Sequence, residues 1–260
     1  MKGELPDVVA QRHRRILDLA RGTGSVAVEA LAAELNVTPQ TIRRDLNLLA
    51  ERALLSRVHG GAVVTSGVDN LDREARRHVA ADAKAAIGAA AAALVPDGAS
   101  LFINIGTTTE AIARALTGHR HLLVVTNNLN VADILADVPT VEVVVAGGRV
   151  RPSDRAVVGA LAMDFIRGFK VDLALIGASA IDEQGTLLDF DIDEVRVSQT
   201  IIAQSRKVIL AADSTKFGRA APVRIAGIDA VDHLVTDRLG DPELAAACVD
   251  ASVQVVETGD

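Results

Sequence analysis

From Ala81 onward, short runs rich in Val, Ile and Leu alternate with Ala-rich segments of helical length. Runs that are apolar throughout, rather than at every second residue, are typical of strands covered on both faces. Such strands alternating with helices form a parallel sheet with helices on both sides. The pattern therefore predicts an α/β domain. Its predicted strands are Ala99–Ile105, Leu122–Val125, Val141–Val145, Val171–Ile176 and Val208–Ala212.

The first sixty residues show a different organisation, with three short amphipathic helices. The first is predicted from about Pro6 to Arg21, and the second begins near Val28. The third begins after Thr38, whose hydroxyl suits the N-cap position. Pro39 then occupies the first turn, where a missing N–H costs nothing. Two helices separated by a short turn, the second well capped, favour a helix-turn-helix.

A small hairpin is predicted after the third helix, in the run LLSRVHGGAVV with Gly60 and Gly61 near its turn. Three helices followed by a β-ribbon form a winged helix-turn-helix. The next residues are polar and charged, as in a linker. The predicted division is a winged helix-turn-helix domain at residues 1–63, a linker at 64–80 and an effector-sensing α/β domain at 81–260.

The outer face of the third helix can contact double-stranded DNA, because Gln, Thr and Arg side chains bind both base edges and phosphates. Arg57 and His59 on the wing are placed to meet the DNA backbone or the minor groove. A helical hairpin with a solvated charged face is the alternative, since charge on a helix is common. The candidate DNA-binding residues are Thr38, Gln40, Thr41, Arg43, Arg44, Arg57 and His59.

The distribution of charge agrees with this division. The whole chain has a net charge of −7, but residues 1–60 carry nine Lys or Arg and seven Asp or Glu, a balance of +2. The remaining residues balance to −9, so a mildly basic part precedes an acidic body. Trp and Tyr are absent and there are five Phe, which argues against binding single strands by base stacking.

No apolar stretch approaches the roughly 20 residues of a membrane span, and the first residues contain no apolar signal core. The single cysteine, Cys248, excludes a disulfide within the chain. We therefore expect a cytoplasmic protein with no membrane partner. His119 and His121 have no third ligand nearby in sequence, so neither a metal nor a cofactor is expected.

Three loops that follow predicted strands carry groups suited to phosphate. Gly106, Thr107 and Thr108 begin a helix whose positive end faces the loop. Lys216, in DSTKFGR, can hold a phosphate as a point charge, and Asn127 follows another strand. Because the carboxyl ends of parallel strands meet at one edge, these loops are expected to lie together. Each also has an ordinary explanation, as a plain helix start or a solvated lysine.

The motifs TIRRDL and RVHGGA resemble the N-terminal signature of the DeoR family of repressors. Ala27 departs from the family pattern, which usually has a Ser or Thr helix cap there. The resemblance extends over nearly the whole chain, and it favours one branch of the family, whose members regulate glycerol 3-phosphate utilisation. The phrases that carry it are LFINIGTTTEAIA, VVTNNLNVA, VVVAGGRV, DFDIDEVR and DSTKFGR.

The resemblance implies a homo-oligomeric repressor, dimer or tetramer, that glycerol 3-phosphate releases from its operator. It also implies a sensor domain similar to sugar-phosphate isomerases of the ribose-5-phosphate type. Asn104 stands where relatives usually have an acid, so it is assigned no role. The effector contacts that the resemblance implies are Gly106, Thr107, Thr108, Asn127, Gly147, Glu194 and Lys216.

A sugar-phosphate isomerase is the alternative function. Such an enzyme needs a base of tuned pKa in its pocket, and the related isomerases place two Asp in a turn after a strand. The matching stretch here, residues 176–179, contains no carboxylate, although Glu194 matches a catalytic Glu. The chain is therefore predicted to be a sensor that kept the phosphate contacts and lost the acids.

Overall fold

The computed structural model describes residues 7–23, 25–51, 55–58, 60–64, 76–77 and 80–259. The chain forms two compact units, Met1–Leu71 and Asp72–Asp260. Their boundary falls inside the segment predicted as a linker, most of which (residues 65–75 and 78–79) lies outside the described residues. The finer division at residues 63 and 80 stays a prediction.

The helices of the N-terminal unit are α1 (Asp7–Thr23), α2 (Val28–Glu34) and α3 (Pro39–Glu51). They share a small apolar core in which Ile16, Leu31 and Leu46 are almost fully buried. Thr38 Oγ1 accepts a hydrogen bond from the Thr41 backbone N–H over 3.2 Å, so the predicted start of α3 is confirmed. Ala27 precedes α2 without a side-chain cap.

The strands of this unit are β1 (Ser25–Ala27), β2 (Leu55–Val58) and β3 (Gly61–Val64). They form an antiparallel sheet in the order β1-β3-β2. The predicted hairpin is β2 and β3, and Gly60 between them has a φ of +79°, a conformation that favours glycine. The third strand, β1, is too short to show an alternating pattern, and only its pairing with β3 makes it a strand.

The second unit is built on a parallel sheet of seven strands in the order β15-β14-β12-β9-β4-β5-β6. Its strands, with those of two smaller antiparallel sheets, are β4 (Ser100–Ile103), β5 (Leu122–Thr126), β6 (Val141–Val145), β7 (Arg149–Arg151), β8 (Ala156–Val158), β9 (Val171–Ile176), β10 (Ala180–Ile181), β11 (Thr186–Asp189), β12 (Ser205–Ala211), β13 (Val223–Gly227), β14 (His233–Thr236) and β15 (Gln254–Glu257).

Both faces of the large sheet are buried, as its uniformly apolar strands predict. Along β4, Leu101 and Ile103 belong to one apolar core and Phe102 to the other. Helices α4, α5 and α6 pack on the first core, and α7, α8 and α9 on the second. The bounds of these helices are α4 (Ala81–Ala93), α5 (Thr107–Ala115), α6 (Leu129–Leu135), α7 (Ala160–Arg167), α8 (Ile192–Ala203) and α9 (Pro242–Asp250).

Two small antiparallel sheets, β7-β8 and β10-β11-β13, accompany the parallel sheet. They were not predicted from the sequence, because their strands have three residues or fewer or contain polar residues, and so form no uniformly apolar run. In the part of the chain that the structure describes, no helix has the length and apolar character needed to cross a bilayer.

Candidate functional site

The N-terminal unit presents one face of α3 to its surroundings. Gln40, Arg43 and Arg44 are exposed, whereas Ile42 and Leu46 are buried. Arg43 makes a long ion pair, 3.4 Å, with the exposed Glu29 of α2. A pair of this kind contributes little and can be exchanged for a phosphate. The face is therefore available to DNA without disturbing the core.

Asp45, beside the two exposed arginines, faces inward and anchors α3. Its carboxylate accepts hydrogen bonds from Arg12 Nε at 2.6 Å and Arg12 Nη2 at 3.1 Å, both from α1. His13 Nε2 lies 3.0 Å from the same carboxylate. These contacts fix the orientation of α3 on α1, and so the direction in which the exposed arginines point.

The wing is described less completely. Arg57 lies on β2 opposite Ala62 of β3, which places its backbone but not its side chain. His59 lies outside the described residues. Both assignments to DNA stay predictions.

In the second unit, the strand order creates a crevice. The chain runs from β4 outward through β5 to β6, then returns to β9 on the other side of β4 and continues outward through β12. The connections after β4 and β9 therefore leave the sheet toward opposite faces. In open parallel sheets, ligands bind at the carboxyl ends of the strands at such a switch point.

A small cleft lies at this switch point. Its lining comes from the loops after β4, β9 and β12 and from the start of α8, with one residue from the chain before α4. The lining residues are Arg76, Ile105, Gly106, Thr107, Thr108, Gly177, Ala178, Ser179, Asp189, Glu194, Ala211 and Lys216.

The loop after β4 offers donors to an anion. Gly106 precedes α5 with a φ of +145°, a region that L side chains rarely adopt. The Thr107 and Thr108 hydroxyls form no hydrogen bond with any described residue, whereas Thr109 Oγ1 donates back to the Asn104 and Gly106 carbonyls. The first N–H groups of α5 and two hydroxyls are thus available at a helix N-terminus, where negative charge is favoured.

Buried cations surround this loop. Lys216 and Arg219 are 9% and 8% exposed. Neither side chain forms an ion pair or hydrogen bond with a described residue, and Arg219 Nη2 is buried without a partner there. Burial lowers the pKa of Lys216 to about 8; Asp213 opposes this, while Arg219, Lys84 and Arg76 add to it. The carboxylate of Asp213 is outnumbered by its cationic neighbours, so the site has room for a further anion.

Two carboxylates line the same cleft. Glu194 accepts a hydrogen bond from Arg151 Nη2 at 2.5 Å, and Asp189 accepts one from the Phe190 backbone N–H at 2.6 Å. Burial raises the pKa of Glu194 to about 8; the charge of Asp189 adds to this, and Arg151 opposes it. Burial also raises the pKa of Asp189. A carboxyl group that keeps its proton near neutral pH can donate a hydrogen bond to a hydroxyl as well as accept one.

Comparison with known proteins assigns both units of the chain to known domain families. Residues 12–68 match the DeoR-like helix-turn-helix domain, and residues 79–238 match the DeoR C-terminal sensor domain. The chain belongs to the DeoR family. It is a DNA-binding transcriptional repressor with a helix-turn-helix unit followed by a sensor domain.

Curated relatives of this DeoR-family chain resemble it over most of its length. The glycerol-3-phosphate regulon repressor of Haemophilus influenzae is 46% identical over 86% of this chain and 88% of the relative. The glycerol-3-phosphate regulon repressor of Escherichia coli is 44% identical over 87% of this chain and 90% of the relative. Ribose 5-phosphate isomerase A from Methanocaldococcus jannaschii superposes with a TM-score of 0.40 and 14% identity over 53% of this chain and 55% of the isomerase, too distant a likeness to bear on function.

The structure brings together five of the seven effector residues implied by the resemblance: Gly106, Thr107, Thr108, Glu194 and Lys216 all line the cleft. The other two lie elsewhere.

Asn127 is buried after β5, where its Nδ2 donates to the Val157 carbonyl over 3.2 Å. Gly147 is exposed after the edge strand β6. Successive strands β4, β5 and β6 connect on the same face, so no crevice opens between their ends. Effector contacts by these two residues stay predictions.

Two charged residues that line the cleft of this repressor were not predicted from the sequence. Arg76 lies in the segment predicted as a linker, where nothing in the local pattern distinguishes it. Asp189 begins the DFDIDEVR phrase, from which only Glu194 was assigned to the site. The expectation that the pocket had lost its acids was therefore wrong in this detail, because Asp189, at the end of β11, supplies a carboxylate beside Glu194 of α8.

Asn104 receives a structural explanation. Its Nδ2 donates to Ser198 Oγ at 2.8 Å, and its Oδ1 accepts from the Ile105 N–H at 2.8 Å. Ser198 in turn donates to the Glu194 carbonyl at 3.0 Å. The amide of Asn104 therefore joins β4 to α8, the helix that carries Glu194, and all of its bonds are within the protein.

The isomerase alternative finds no support among the curated relatives, which are repressors. Within the described ranges, no three His, Cys, Asp or Glu side chains lie together in a way that could hold a metal ion.

Proposed function

We propose that this repressor controls genes for glycerol 3-phosphate utilisation and that glycerol 3-phosphate releases it from its operator. Two curated relatives with 44–46% identity over most of both chains carry the name of that regulon, which supports the assignment. The proposal includes a cytoplasmic homo-oligomer, dimer or tetramer, bound to double-stranded operator DNA.

The observation that carries the effector proposal is the excess of unpaired buried cations at a helix N-terminus. The phosphate would bind the N–H groups and hydroxyls at Gly106–Thr108, with Lys216 supplying positive charge. Glu194 and Asp189 would bind the glycerol hydroxyls. A dianionic phosphate would compensate positive charge that Asp213 neutralises only in part. A neutral sugar would leave these cations buried and unpaired, which is unfavourable.

The DNA contacts would come from α3 and the wing, through Thr38, Gln40, Thr41, Arg43, Arg44, Arg57 and His59. The exposed face of α3 supports this, because Arg43 and Arg44 can reach base edges or phosphates without unpacking the helix. The effector lowers operator affinity only if it binds the DNA-incompetent arrangement more tightly.

Lys216→Ala tests this proposal. Removing one charge-assisted contact is expected to weaken glycerol 3-phosphate binding about 10- to 100-fold, while operator affinity stays unchanged. Calorimetry with glycerol 3-phosphate and fluorescence anisotropy with an operator duplex selected from a random library measure the two affinities.

Lys207→Ala is the matched control, because Lys207 is an exposed lysine near the start of β12, the strand whose carboxyl end leads to Lys216. It should behave as the parent in both assays. If Lys216→Ala binds the effector as tightly as the parent, or loses operator binding instead, the proposed pocket is wrong.

A further inference from the structure

Arg76 is the single residue of the cleft lining that comes from the chain before α4. All the other lining residues belong to strand ends, to the loops that follow them, or to the starts of α5 and α8. In sequence, Arg76 lies five positions after Leu71, the last residue of the DNA-binding unit. The cleft is thus built partly from the segment that joins the two units.

The backbone of Arg76 is anchored, while its side chain lacks a partner among the described residues. Its carbonyl accepts a hydrogen bond from Lys84 Nζ of α4 at 2.5 Å. Its guanidinium forms no ion pair or hydrogen bond with a described residue, and its Nε is buried. A buried Nε–H without an acceptor is costly, so an anion in the cleft could accept hydrogen bonds from this partly buried guanidinium.

The small size of the cleft also indicates that the Arg76 side chain moves when the effector binds. Its volume is about 30 Å³, enough for about two water molecules. Glycerol 3-phosphate is several times larger, so its binding requires lining groups to move. Backbone loops at strand ends are held by the sheet, whereas a long arginine side chain on the preceding segment can be displaced or can swing onto the phosphate.

We propose that Arg76 is an effector ligand supplied by the connecting segment, and that its engagement by the phosphate couples the sensor to the DNA-binding unit. The inference rests on the proposed function of the same cleft. Because Arg76 lies five positions after Leu71, a phosphate that holds its guanidinium ties the effector to the chain close to the DNA-binding unit. Arg76 therefore contributes both to affinity and to the change in operator binding.

Arg76→Ala tests this inference, with Arg77→Ala as the control. Arg77 is the next residue, is exposed, and does not line the cleft, so it matches the charge change and the segment. Glycerol 3-phosphate affinity is measured by calorimetry. Operator affinity is measured by fluorescence anisotropy, without effector and at an effector concentration that saturates each variant. The parent is expected to show a ratio of operator dissociation constants of about 5- to 150-fold.

Arg76→Ala is expected to bind the effector at least about tenfold more weakly, in keeping with the loss of one charged contact. At saturating effector, the ratio of its operator dissociation constants with and without effector should fall close to one. Arg77→Ala should keep the parent's effector affinity and the parent's ratio. If Arg76 only binds the effector and does not couple the units, Arg76→Ala should show the parent's ratio once it is saturated with effector. That result would overturn the proposed coupling.

Lys216→Ala, measured alongside, separates this inference from the proposed function. If Lys216→Ala loses the effector while Arg76→Ala keeps the parent's affinity and ratio, the cleft is the effector site and the inference about Arg76 is wrong. If the parent itself does not bind glycerol 3-phosphate, the proposed effector fails, and the inference fails with it.

Discussion

Lys216 illustrates at the scale of one residue how a sensor stays ready for an anion. Burial and three cationic neighbours disfavour its charged form, and Asp213 compensates only in part. The resulting pKa, about 8, leaves the ammonium charged near neutral pH but without the stabilisation that a partner would provide. A bound phosphate would supply that stabilisation, so we expect the unfavourable electrostatics of the free site to be relieved on effector binding.

The affinity for glycerol 3-phosphate is therefore expected to fall as the pH rises through about 8. Bound phosphate favours protonated Lys216, so binding takes up a proton above the pKa of the free site, about 8. Glu194, with its pKa raised to about 8, acts in the same direction, because losing its proton adds a negative charge to the cleft. Below about pH 6 the phosphate becomes a monoanion and binding weakens again.

Calorimetry between about pH 6 and 10 measures this profile. Above pH 8 the dissociation constant should rise roughly tenfold per pH unit for each proton taken up. Lys216→Ala should show a shallower rise, since one titrating group is gone. An affinity that stays constant up to pH 10 would contradict the assignment of these groups to the site.

At the scale of the element, neighbouring residues of α3 have different roles: two arginines are exposed, and the next residue anchors the helix. Arg43 and Arg44 are exposed, whereas Asp45 is buried against Arg12 and His13. Helical geometry imposes this division, because consecutive side chains point about 100° apart around the axis. One helix turn therefore carries both the exposed charges that are proposed to contact DNA and the buried anchor that orients them.

The double change Arg43→Ala with Arg44→Ala is expected to lower operator affinity by roughly 2–6 kcal/mol, about 1–3 for each contact. The fold should be unaffected because both side chains are exposed. Anisotropy titrations over a range of salt concentrations measure the loss, and the salt dependence should become shallower as phosphate contacts disappear.

Asp45→Ala and a distant charge-matched pair serve as comparisons. Asp45→Ala leaves Arg12 without its buried partner, so it should destabilise the N-terminal unit by about 3 kcal/mol in denaturant unfolding. Arg167→Ala with Arg206→Ala, both exposed in the sensor unit, should leave operator binding as in the parent. Parent-like, salt-sensitive DNA binding by the α3 double variant would remove α3 as the recognition helix.

At the scale of the whole molecule, we expect operator binding to require more than one chain. A single winged helix buries a small interface with DNA and discriminates weakly among sequences. Symmetric pairing of chains would place two such units on repeated half-sites, which multiplies their affinities. The exposed apolar side chains of the sensor unit, including Leu161 and Val249, leave surface available for such pairing.

Light scattering at micromolar concentration is expected to give two or four times the chain mass of 27.1 kDa. Dilution below the dissociation constant of the oligomer should then reduce operator affinity in parallel with the measured mass. A monomer with full operator affinity would rule out assembly as a requirement for repression.

Local sequence patterns determined much of the secondary structure of this protein. Strands β6 and β9 occupy the predicted ranges, Val141–Val145 and Val171–Ile176, because an apolar run between turn residues has few other ways to be buried. The start of α3 follows from Thr38 and Pro39, whose side chains act within a few residues of themselves. Glycine, threonine and lysine after strands predicted the chemistry of the cleft for the same local reason.

The order of the strands was decided only by the tertiary structure, because it depends on pairings between residues far apart in sequence. That order puts the ends of β4, β9 and β12 side by side and leaves β6 at the edge. It therefore brings Lys216 to Gly106, adds Asp189 and Arg76, and leaves Gly147 outside. Local preferences indicate which segments become strands, but burial of both sheet faces across the whole chain selects their neighbours, and with them the residues that form the site.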